Sequence, residues 1–334
     1  MSAASRGECC IVGYGAHARS KLAPALDESG WRTVALVSKT AAADGDLTVF
    51  SSLEAALSAL PQSTTFVVAS PPSAHFSQVS AIVEAGCDVL VEKPAFLSSE
   101  EVEFVRTRAE SKRVVVAEMF MYLEAAVCGT ALQVLERSWH DIRRVEMVFT
   151  LPSVPEGTFR GGGGLAGSLL ADIGCYPLSL LARAGLPLDG LSLRSSSTEG
   201  GHAPRYSVDG RVRGVDVGFT VGLAESYRNS LDISLSDGAG WTIEPFFYGR
   251  PGARKVVTRR RPEHVAGDDP LIERIVHEDN AFKSMFSRGR EEWLSSQVQR
   301  FREMSVVTAA LCRLGKEAGL ADEAASRGTG IFVR

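Results

Sequence analysis

Short apolar runs alternate with amphipathic stretches along the first part of the chain. The run at 9–12 breaks into glycines, and the amphipathic stretch after it predicts a helix ending near Gly30. Further buried strands are predicted at 33–37, 48–50, 65–70, 88–92 and 114–118. Strands separated by helical stretches are typical of a parallel α/β sheet with helices on both faces.

The second half of the chain has a period of two. Apolar and polar residues alternate around 145–149, 215–219, 231–235 and 241–243, and Asp237-Gly238 has the composition of a hairpin turn. These patterns predict an antiparallel sheet with one covered face. Because the other face needs a cover or a partner, we expect a homo-oligomer, either a homodimer or a homotetramer.

The C-terminal part is predicted to be helical over 270–286 and 291–318. The residues predicted to form one buried face of the second helix are Val298, Phe301, Met304, Val307 and Leu311. Earlier in the chain, the glycines at 161–164 predict a loop that is either a lid over a substrate or a plain flexible connection.

Composition and charge exclude several classes of protein. A chain of 334 residues with 45% hydrophobic and 23% charged residues suits two ordinary globular domains. Its net charge of −4 provides no basic field for nucleic acid. No apolar run approaches the length of about 18 residues that a membrane helix needs, so neither nucleic acid nor a membrane is an expected partner. The six cysteines lack C-x-x-C spacing, so we expect free thiols and a cytoplasmic location, and we predict no metal site.

The glycines after the first strand are candidates for binding a dinucleotide. The segment 13–18 reads G-x-G-x-x-A between a strand and a helix, which permits a tight turn and a close approach of backbone to a pyrophosphate. The free N–H groups at the start of the helix would face the phosphates. The predicted cofactor residues of this turn are Gly13, Tyr14, Gly15, Ala16 and His17. The motif by itself is also compatible with an ordinary glycine-rich turn.

The end of the second strand indicates which dinucleotide is preferred. A protein that binds NAD usually has an acidic residue here, which binds the ribose 2′-hydroxyl. This chain has Ser38, Lys39 and Thr40 instead. A carboxylate at roughly 4 Å would oppose one phosphate charge by about 4 kcal/mol. The absence of that carboxylate predicts NADP(H) rather than NAD(H), and the alternative is that Lys39 is an ordinary solvated lysine.

A proline-rich loop leaves the fourth strand at the edge of the sheet where ligands bind in this architecture. Ser70, Pro71 and Pro72 turn the strand into a helix and are predicted to contact the cofactor. His75 either shapes that loop at the cofactor site or is a satisfied structural histidine.

A charged pair ends the fifth strand. Glu92 and Lys93 follow an apolar run and would be costly to bury without partners, so we expect them to meet polar ligands or counter-charges at the cofactor site. Pro94 has no N–H and keeps Lys93 extended, which directs the ammonium away from a continuing helix.

Four segments together resemble the Gfo/Idh/MocA oxidoreductases in their order and spacing. They are 13–18, 70–75, Glu92-Lys93-Pro94 and Asp172-Ile173-Gly174-Cys175-Tyr176. The resemblance implies an α/β protein with an N-terminal Rossmann dinucleotide-binding domain and a C-terminal α+β domain that has a large open, mostly antiparallel sheet. We expect the NADP-binding domain at 1–122 and the substrate-binding and oligomerisation domain at 123–334.

The resemblance also implies three catalytic residues. The lysine of E-K-P acts in the family with the fifth position of the later motif, which gives Lys93 and Tyr176, and Asp172 lies one helical turn before Tyr176. We expect Tyr176 to donate a proton to a carbonyl oxygen while the Lys93 ammonium lowers the pKa of Tyr176 and polarises that oxygen. Asp172 is expected to orient Lys93 or a substrate hydroxyl.

The sequence departs from the usual pattern of the family in three places. Tyr176 replaces the commoner histidine, as in branches that act on sugars and related carbonyls. Ser179 stands where the family often has Asp or Asn, which puts the usual contacts to substrate hydroxyls in doubt. Leu123-Glu124 stands where those branches commonly carry an arginine.

The leading hypothesis is an NADP(H)-dependent oxidoreductase that transfers hydride to or from a carbonyl or hydroxyl of a sugar or sugar-nucleotide-like substrate. A C=N reductase is the close chemical alternative, because the same residues would protonate nitrogen. A catalytically inactive NADP(H)-sensing binding protein is the alternative from another class. Redox-neutral chemistry with a retained NAD is a further enzymatic alternative.

Overall fold

A six-stranded parallel sheet forms the first part of the molecule. The computed structural model describes residues 6–41, 47–154, 164–197, 205–247, 254–260, 271–278 and 280–320. The strand order is β3-β2-β1-β4-β5-β6. The strands are β1 (Gly7–Val12), β2 (Trp31–Val37), β3 (Thr48–Phe50), β4 (Thr65–Val68), β5 (Val89–Glu92) and β6 (Val116–Met119). The chain reverses its direction of winding between β1 and β4, and such a point leaves a crevice for ligands at the carboxyl ends of the strands.

Helices connect these strands and cover both faces of the sheet. After β1 a π-helical segment (Ala18–Leu22) leads into α1. The helices are α1 (Ala23–Glu28), α2 (Leu53–Ala59), α3 (Pro72–Glu84) and α4 (Ser99–Lys112). A 3₁₀ turn (Met121–Glu124) follows β6 and leads into α5 (Ala126–Arg137). The predicted division of the chain at residue 122 falls in this turn and stays a prediction.

An eight-stranded sheet forms the second part, in the order β14-β13-β12-β11-β7-β10-β9-β8. The strands are β7 (Ile142–Leu151), β8 (Leu191–Ser197), β9 (Arg205–Val212), β10 (Val215–Leu223), β11 (Arg228–Leu235), β12 (Gly240–Glu244), β13 (Lys255–Arg260) and β14 (Leu271–His277). Only β7 and β10 pair in parallel among these described strands. The Rossmann sheet and the large, mostly antiparallel second sheet confirm the predicted fold class.

Three helices complete the second part, α6 (Leu169–Arg183), α7 (Ala281–Phe286) and α8 (Arg290–Glu317). Every residue of α6 from Leu169 to Leu181 is buried, because the helix packs against both the second sheet and α8. A helix that is enclosed on all sides can hold polar side chains in fixed positions, and α6 carries both Asp172 and Tyr176.

The helix predicted over 270–286 is partly wrong. Residues Leu271–His277 form β14, and only Ala281–Phe286 is helical. The spacing of apolar residues in LIERIVH resembles a helical period, but the segment pairs with β13 in antiparallel register, for example His277 with Lys255. Pairing with a neighbouring strand overrides local preference here.

The predicted buried face of α8 is wrong at its first residue. Val298 is 71% exposed, whereas Phe301, Met304, Val307 and Leu311 are buried as predicted. Gln297 takes the buried position one turn before Phe301. Its side-chain amide bonds the backbone at the start of β6 and just before it: Oε1 accepts from Val116 N at 3.0 Å, and Nε2 donates to Val114 O at 3.1 Å.

Four further predictions concern the glycine loop, the hairpin turn, the cysteines and membrane-spanning helices. The glycine loop at 161–164 lies outside the described residues except for Gly164. The hairpin turn at Asp237-Gly238 is confirmed between β11 and β12, where Gly238 has a φ of +85°. All six cysteines are free. Within the described ranges, none of the helices combines the length and apolar character that crossing a bilayer requires.

Candidate active site

The glycine turn after β1 is shaped for a ligand that approaches the backbone. Gly13 has a φ of +88°, and a Cβ built there would lie 2.7 Å from Ser70 N, so any side chain would collide with the loop after β4. Gly15 differs, because a Cβ built there would meet none of the described atoms within 4 Å. The open side of Gly15 faces the start of the helix after β1, where Ala16 and His17 are exposed. Tyr14 lies half-buried between the two glycines and packs on the core.

The turn after β2 places Ser38, Lys39 and Thr40 at the carboxyl end of that strand. The Ser38 hydroxyl accepts hydrogen bonds from Thr40 N at 3.3 Å and Ala41 N at 3.0 Å, which fixes the turn. Lys39 and Thr40 are exposed. The turn is therefore ordered by its own serine and presents an ammonium and a hydroxyl to solvent.

The loop after β4 is held from behind by His75. The ring of His75 is fully buried, with Nδ1 3.0 Å from Pro94 O and Nε2 2.8 Å from Ser70 O. Burial lowers the pKa of His75 below its ordinary value of 6.5. These contacts favour the loop-shaping alternative for His75, because both of its nitrogens are occupied by backbone carbonyls. Pro71 and Pro72 start α3 beside it, and Ser70 Oγ donates to Gln78 Oε1 at 2.5 Å.

Glu92 links the strand that carries Lys93 to the glycine turn. Its Oε1 lies 2.9 Å from His17 Nε2, and its Oε2 accepts from Lys93 N at 3.2 Å. Burial opposes ionisation of Glu92, but the hydrogen bond and charge of His17, together with the charge of Lys93, outweigh burial and hold the pKa below its ordinary value. Glu92 is thus a carboxylate that ties two of the predicted cofactor-binding loops together.

Lys93 and Asp172 form a buried ion pair between the two parts of the chain. Lys93 Nζ donates to Asp172 Oδ1 at 2.8 Å and to the Asp172 carbonyl oxygen at 2.6 Å. The side chains are 9% and 2% exposed. Burial alone would lower the pKa of Lys93, but the Asp172 carboxylate outweighs it and raises that pKa above its ordinary value. Lys93 is therefore a charged ammonium with a fixed position.

The ring of Tyr176 lies beside the same ammonium. Lys93 Nζ is 5.0 Å from the centroid of the Tyr176 ring, within the range of a cation–π contact. The Tyr176 hydroxyl contacts Met121 Sδ at 3.8 Å, and Phe149 packs edge-on against the ring at 5.3 Å. The structure thus brings together Lys93, Asp172 and Tyr176, the three residues predicted to be catalytic.

Lys93 lowers the pKa of Tyr176 as expected, but the net pKa of Tyr176 is raised. Burial raises the pKa of Tyr176 above its ordinary value of 10, and the Lys93 ammonium lowers it by less than burial raises it. The sequence provides the charged neighbour but not the depth of burial. Tyr176 is accordingly a protonated phenol beside a cation that would stabilise its phenolate.

Ser179 forms hydrogen bonds inside the protein. Its hydroxyl donates to the Tyr176 carbonyl oxygen at 2.9 Å and lies 2.8 Å from the hydroxyl of Tyr122. Tyr122 itself donates to the Tyr176 carbonyl at 2.8 Å and is fully buried. Ser179 and Tyr122 therefore hold the backbone of α6 at Tyr176, which the sequence analysis did not assign to either residue.

Glu124, which stands where the resemblance leads us to expect an arginine, is neutralised by one arginine of α8 and by another just before that helix. Glu124 pairs with Arg288 and with Arg300, each at 2.9 Å, and both guanidinium groups lie over the ring of Trp293. Burial opposes ionisation of Glu124, but the two arginines outweigh it and lower the pKa. The departure from the family pattern is thus compensated by two arginines far away in the sequence.

Glu118 is a further residue that sequence analysis missed as part of this region. It lies on β6, and its Oε1 accepts from Ala95 N, in the loop after Lys93, at 2.8 Å. An acidic residue inside the apolar run at 114–118 is the signal that could have indicated it. In the described part of the chain, no group of three or more His, Cys, Asp or Glu side chains could hold a metal ion.

Comparison with known proteins finds similarity over the first part of the chain to one protein family, and over about half of the chain to curated enzymes. A family model described as an oxidoreductase family with an NAD-binding Rossmann fold, GFO_IDH_MocA, matches residues 8–120. A dTDP-3,4-didehydro-2,6-dideoxy-alpha-D-glucose 3-reductase from Streptomyces antibioticus is 31% identical over 171 residues, 49% of this chain and 51% of the relative. The enzyme of the same name from Actinomadura kijaniata is 27% identical over 184 residues, 53% of this chain and 54% of the relative. The chain thus spans about half the length of the curated relatives it matches.

Solved structures show the same fold. A 3-ketoreductase from Actinomadura kijaniata in complex with NADP and TDP-benzene has a TM-score of 0.71 at 20% identity, over 90% of this chain and 96% of that one. An aldose-aldose oxidoreductase from Caulobacter crescentus has a TM-score of 0.72 at 16% identity, over 94% and 98% of the two chains. The family model matches residues 8–120, the segment that contains three of the four motif segments that resemble the Gfo/Idh/MocA oxidoreductases.

Proposed function

We propose that this protein is an NADP(H)-dependent oxidoreductase that reduces a ketone on the sugar of a nucleoside-diphosphate sugar, or catalyses the reverse oxidation. The observation that carries the proposal is the ammonium of Lys93, held by Asp172 at 2.8 Å and lying 5.0 Å from the centre of the Tyr176 ring. This cluster lies where the strand β5 ends, at the edge of the parallel sheet that binds nucleotides in Rossmann folds.

The turns at the ends of β1 and β2 fit a nicotinamide dinucleotide. Gly13 can only be glycine, and the open side of Gly15 leaves room for a pyrophosphate beside free backbone N–H groups. Ser38, Lys39 and Thr40 present an ammonium and hydroxyls, without a carboxylate, where the adenosine ribose would lie. These features support NADP(H) rather than NAD(H), and the neighbouring 3-ketoreductase was crystallised with NADP.

The residues of the cluster divide the chemistry between them. A nicotinamide cofactor supplies or accepts the hydride when it is bound. Tyr176 Oη, which burial keeps protonated, gives its proton to the carbonyl oxygen of the substrate. Lys93 Nζ stabilises the negative charge that develops on that oxygen and on the Tyr176 phenolate. Asp172 holds Lys93 Nζ in place and keeps it charged in a buried position.

The substrate class is supported by the relatives. The two matching enzymes from Streptomyces and Actinomadura are named as reductases of a dTDP-linked didehydro-dideoxy sugar, and the solved 3-ketoreductase holds TDP-benzene. A thymidine diphosphate sugar with a keto group is therefore the first substrate to test. The keto group is neutral, so it can bind beside Lys93 while the charge of Lys93 stays paired with Asp172.

The test is a steady-state assay of NADPH oxidation with three panels, namely dTDP-linked keto sugars, free keto sugars and cyclic imines. Turnover of a dTDP-linked keto sugar that is lost in Lys93→Met and Tyr176→Phe supports the proposal, provided that both variants still bind NADPH. Turnover of imines alone would replace it by C=N reduction. Tight NADPH binding without turnover in any panel favours a cofactor-sensing protein, and a co-purified cofactor that is never consumed favours redox-neutral chemistry.

The open face of the second sheet supports an oligomer. On β7, the exposed Arg144 and Glu146 and the half-buried Val148 alternate with the buried Val145 and Met147. An open sheet face of this kind is a common surface for pairing between copies of a chain. Size-exclusion chromatography with light scattering tests the predicted homodimer or homotetramer, and a monomer at micromolar concentration would contradict it.

A further inference from the structure

The loop that carries Lys93 is held by residues from two other elements. After β5, the backbone of the loop is bonded at Pro94 O by His75 of α3 and at Ala95 N by Glu118 of β6. Lys93 N is itself bonded to Glu92 Oε2. Three successive residues of the loop thus have a side-chain partner for one backbone group each.

The contact of Glu118 follows from the pairing of β5 and β6. The two strands are parallel, with Val91 opposite Glu118, so the Glu118 side chain lies just before the point where β5 ends. From there its Oε1 reaches Ala95 N at 2.8 Å. Ala95 is fully buried, so its N–H would have no water to replace the carboxylate.

We propose that Glu118 is a positioning residue, which fixes the loop 93–95, and hence the ammonium of Lys93, through the hydrogen bond that its carboxylate accepts from Ala95 N. The kinetic consequence rests on the proposed function. The structural consequence, a pH-dependent hold on the Ala95 amide, does not depend on it.

The charges around Glu118 are paired among themselves, which leaves Glu118 with an uncharged partner. On α8 and α6, Glu303 pairs with Arg183 at 2.8 Å, and Arg300 pairs with Glu124 at 2.9 Å. Glu303, Arg183 and Arg300 share with Glu118 the wall of a small cavity of about 20 Å³. On β5, Lys93 is paired with Asp172, and Glu92 with His17.

Burial and the neighbouring charges together place the pKa of Glu118 near neutral pH. Burial raises the pKa of Glu118 from 4.5 to about 7, while the Ala95 hydrogen bond and the Lys93 charge lower it by less. Glu303 and Glu92 add to the rise. His75 Nδ1 lies 3.0 Å from the neighbouring Pro94 carbonyl oxygen, and burial lowers the pKa of His75.

Two states of the loop follow from this titration. Above about pH 7, Glu118 is a carboxylate and accepts a charge-assisted hydrogen bond from Ala95 N. Below it, Glu118 is a neutral acid and a weaker acceptor, so the backbone beside Lys93 is held less firmly. Since a misplacement of about 1 Å in a catalytic group can cost about a hundredfold in rate, the reaction rate should fall on the acid side.

The chain offers a matched control in Glu101. Glu101 lies in the first turn of α4, and its Oε2 accepts a hydrogen bond from Leu97 N at 2.9 Å. Leu97 follows Ala95 by two residues, so Glu101 also bonds a backbone N–H between β5 and α4. Burial also raises the pKa of Glu101. A general effect of removing a carboxylate from this loop would therefore appear in Glu101 variants as well.

The experiment compares Glu118→Gln, Glu118→Ala, Glu101→Gln and Glu101→Ala in the full-length protein. Amide hydrogen exchange, measured by NMR across about pH 5.5 to 8.5, reports the protection of Ala95 and Leu97. In the wild type, protection of Ala95 should rise with pH through about 7. The protection of Ala95 should be independent of pH in E118Q and should be lost in E118A. In E101A, only the protection of Leu97 should be lost.

The kinetic arm measures kcat and KM for the keto sugar over the same pH range. E118A should lower kcat by about tenfold to a hundredfold with little change in KM. E118Q keeps an amide oxygen that can accept from Ala95 N, so it should retain most of kcat but lose the acid limb. Both Glu101 variants should keep the wild-type pH profile.

Each outcome decides the proposal. Equal losses in E118A and E101A, or an acid limb that persists in E118Q, would overturn it. If the wild type turns over no substrate, the proposed function fails, and the exchange of Ala95 still decides whether Glu118 holds the loop. Protection of Ala95 that does not change with pH in the wild type refutes the proposed coupling in either case.

Discussion

The carboxylate of Asp172 and the ammonium of Lys93 meet at 2.8 Å, although 79 residues separate them in the chain. The Asp172 carbonyl oxygen accepts a second hydrogen bond from the same ammonium at 2.6 Å. A helix of the second part of the molecule thereby determines where the ammonium of the first part lies. Because both groups are buried, neither can turn to solvent if the other is removed.

Asp172→Asn should impair both stability and activity. The amide keeps an oxygen acceptor for Lys93 Nζ but removes the charge that holds the pKa of Lys93 above its ordinary value. Breaking a buried ion pair by removing one partner costs about 3 to 5 kcal/mol, and the amide should place D172N near the lower end of this range. The basic limb of the kcat profile should move to lower pH, because Lys93 then loses its proton more easily.

The measurements are urea unfolding and kcat as a function of pH. Asp209→Asn is the matched control, since Asp209 pairs with Arg194 at 2.7 Å on the surface. It should change neither quantity appreciably, because exposed pairs contribute little. A D172N variant with wild-type stability and an unmoved basic limb would show that Asp172 does not maintain the charge of Lys93.

The parts of the fold that sequence predicts are those set by local pattern. The strand before Gly13 and the glycine turn itself are recognisable because short-range chemistry determines them. Leu271–His277 was predicted wrongly, because its pairing with β13 is a long-range contact that competes with a helix-like spacing. Val298 was predicted to be buried because it is apolar, whereas Gln297 is buried because its amide satisfies the backbone of β6.

The candidate site divides in the same way. Lys93, Asp172 and Tyr176 were predicted from motifs that resemble a family, and the structure brings them together. The contact between Glu118 and Ala95 could not be predicted, because it depends on the register of two strands. The pKa of Tyr176 was misjudged because a sequence does not give the depth of burial, which outweighs the charge of Lys93.

Tyr176→Phe should abolish most activity without unfolding the protein. The ring would keep its packing against Phe149. Among the described residues, the hydroxyl that is lost has a hydrogen-bond contact only with the sulfur of Met121. Removal of a general acid typically costs about a hundredfold to ten-thousandfold in rate. We therefore expect kcat to fall by that factor with a melting temperature close to the wild type.

Tyr122→Phe is the matched comparison for Y176F. The Tyr122 hydroxyl bonds the Tyr176 carbonyl and Ser179 Oγ, each at 2.8 Å, in a fully buried position. Its removal should cost about 1 to 3 kcal/mol of stability. Thermal unfolding and kcat are measured for both variants. A Y176F enzyme that keeps wild-type kcat would exclude Tyr176 as the proton donor.

Gly13→Ala and Gly15→Ala should separate folding from cofactor binding. An alanine Cβ at Gly13 would lie 2.7 Å from Ser70 N and 2.9 Å from Ser70 Cα, at a φ of +88°. We expect G13A to be strongly destabilised, since neither the backbone of the loop after β4 nor this φ tolerates a side chain. Among the described atoms, a Cβ at Gly15 would meet none within 4 Å, so G15A should fold normally.

Binding distinguishes the two glycine variants. The methyl group of G15A would occupy the space proposed for the pyrophosphate, so the Kd for NADPH should rise by about tenfold or more. Thermal unfolding and a fluorescence titration with NADPH provide the two measurements. Wild-type NADPH affinity in G15A would mean that the cofactor does not approach this turn.

Ser38→Asp should reverse the preference for NADPH over NADH. The new carboxylate can still accept from Thr40 N and Ala41 N, as the Ser38 hydroxyl does, so the turn should persist. At roughly 4 Å it would oppose a 2′-phosphate by about 4 kcal/mol, while it could bind the ribose hydroxyls of NADH. Lys39→Ala is the companion variant and should weaken NADPH more than NADH. Equal effects on both cofactors would exclude this turn as the phosphate site.

The stability of Glu118→Gln relative to the wild type should increase with pH. The pKa of Glu118 is about 7 in the folded protein against 4.5 as its ordinary value. Between these values the folded state binds more protons than the unfolded state, so the wild type loses stability as pH rises. This cost is complete above about pH 7 and amounts to about 3 kcal/mol, at about 1.4 kcal/mol per pKa unit.

Urea unfolding of E118Q and the wild type at about pH 5 and pH 8 measures this difference. Glu54→Gln serves as the control, because the pKa of Glu54 is shifted in the opposite direction to that of Glu118. The backbone N–H of Glu54 and the Ser52 hydroxyl lower the pKa of this exposed residue. Glutamine at 118 avoids the cost of burying a charge, so its advantage over the wild type should grow between the two pH values, whereas E54Q should gain none. If the difference in stability between E118Q and the wild type stays constant with pH, Glu118 has an ordinary pKa. Its titration could then not cause a pH-dependent change at Lys93 near neutral pH.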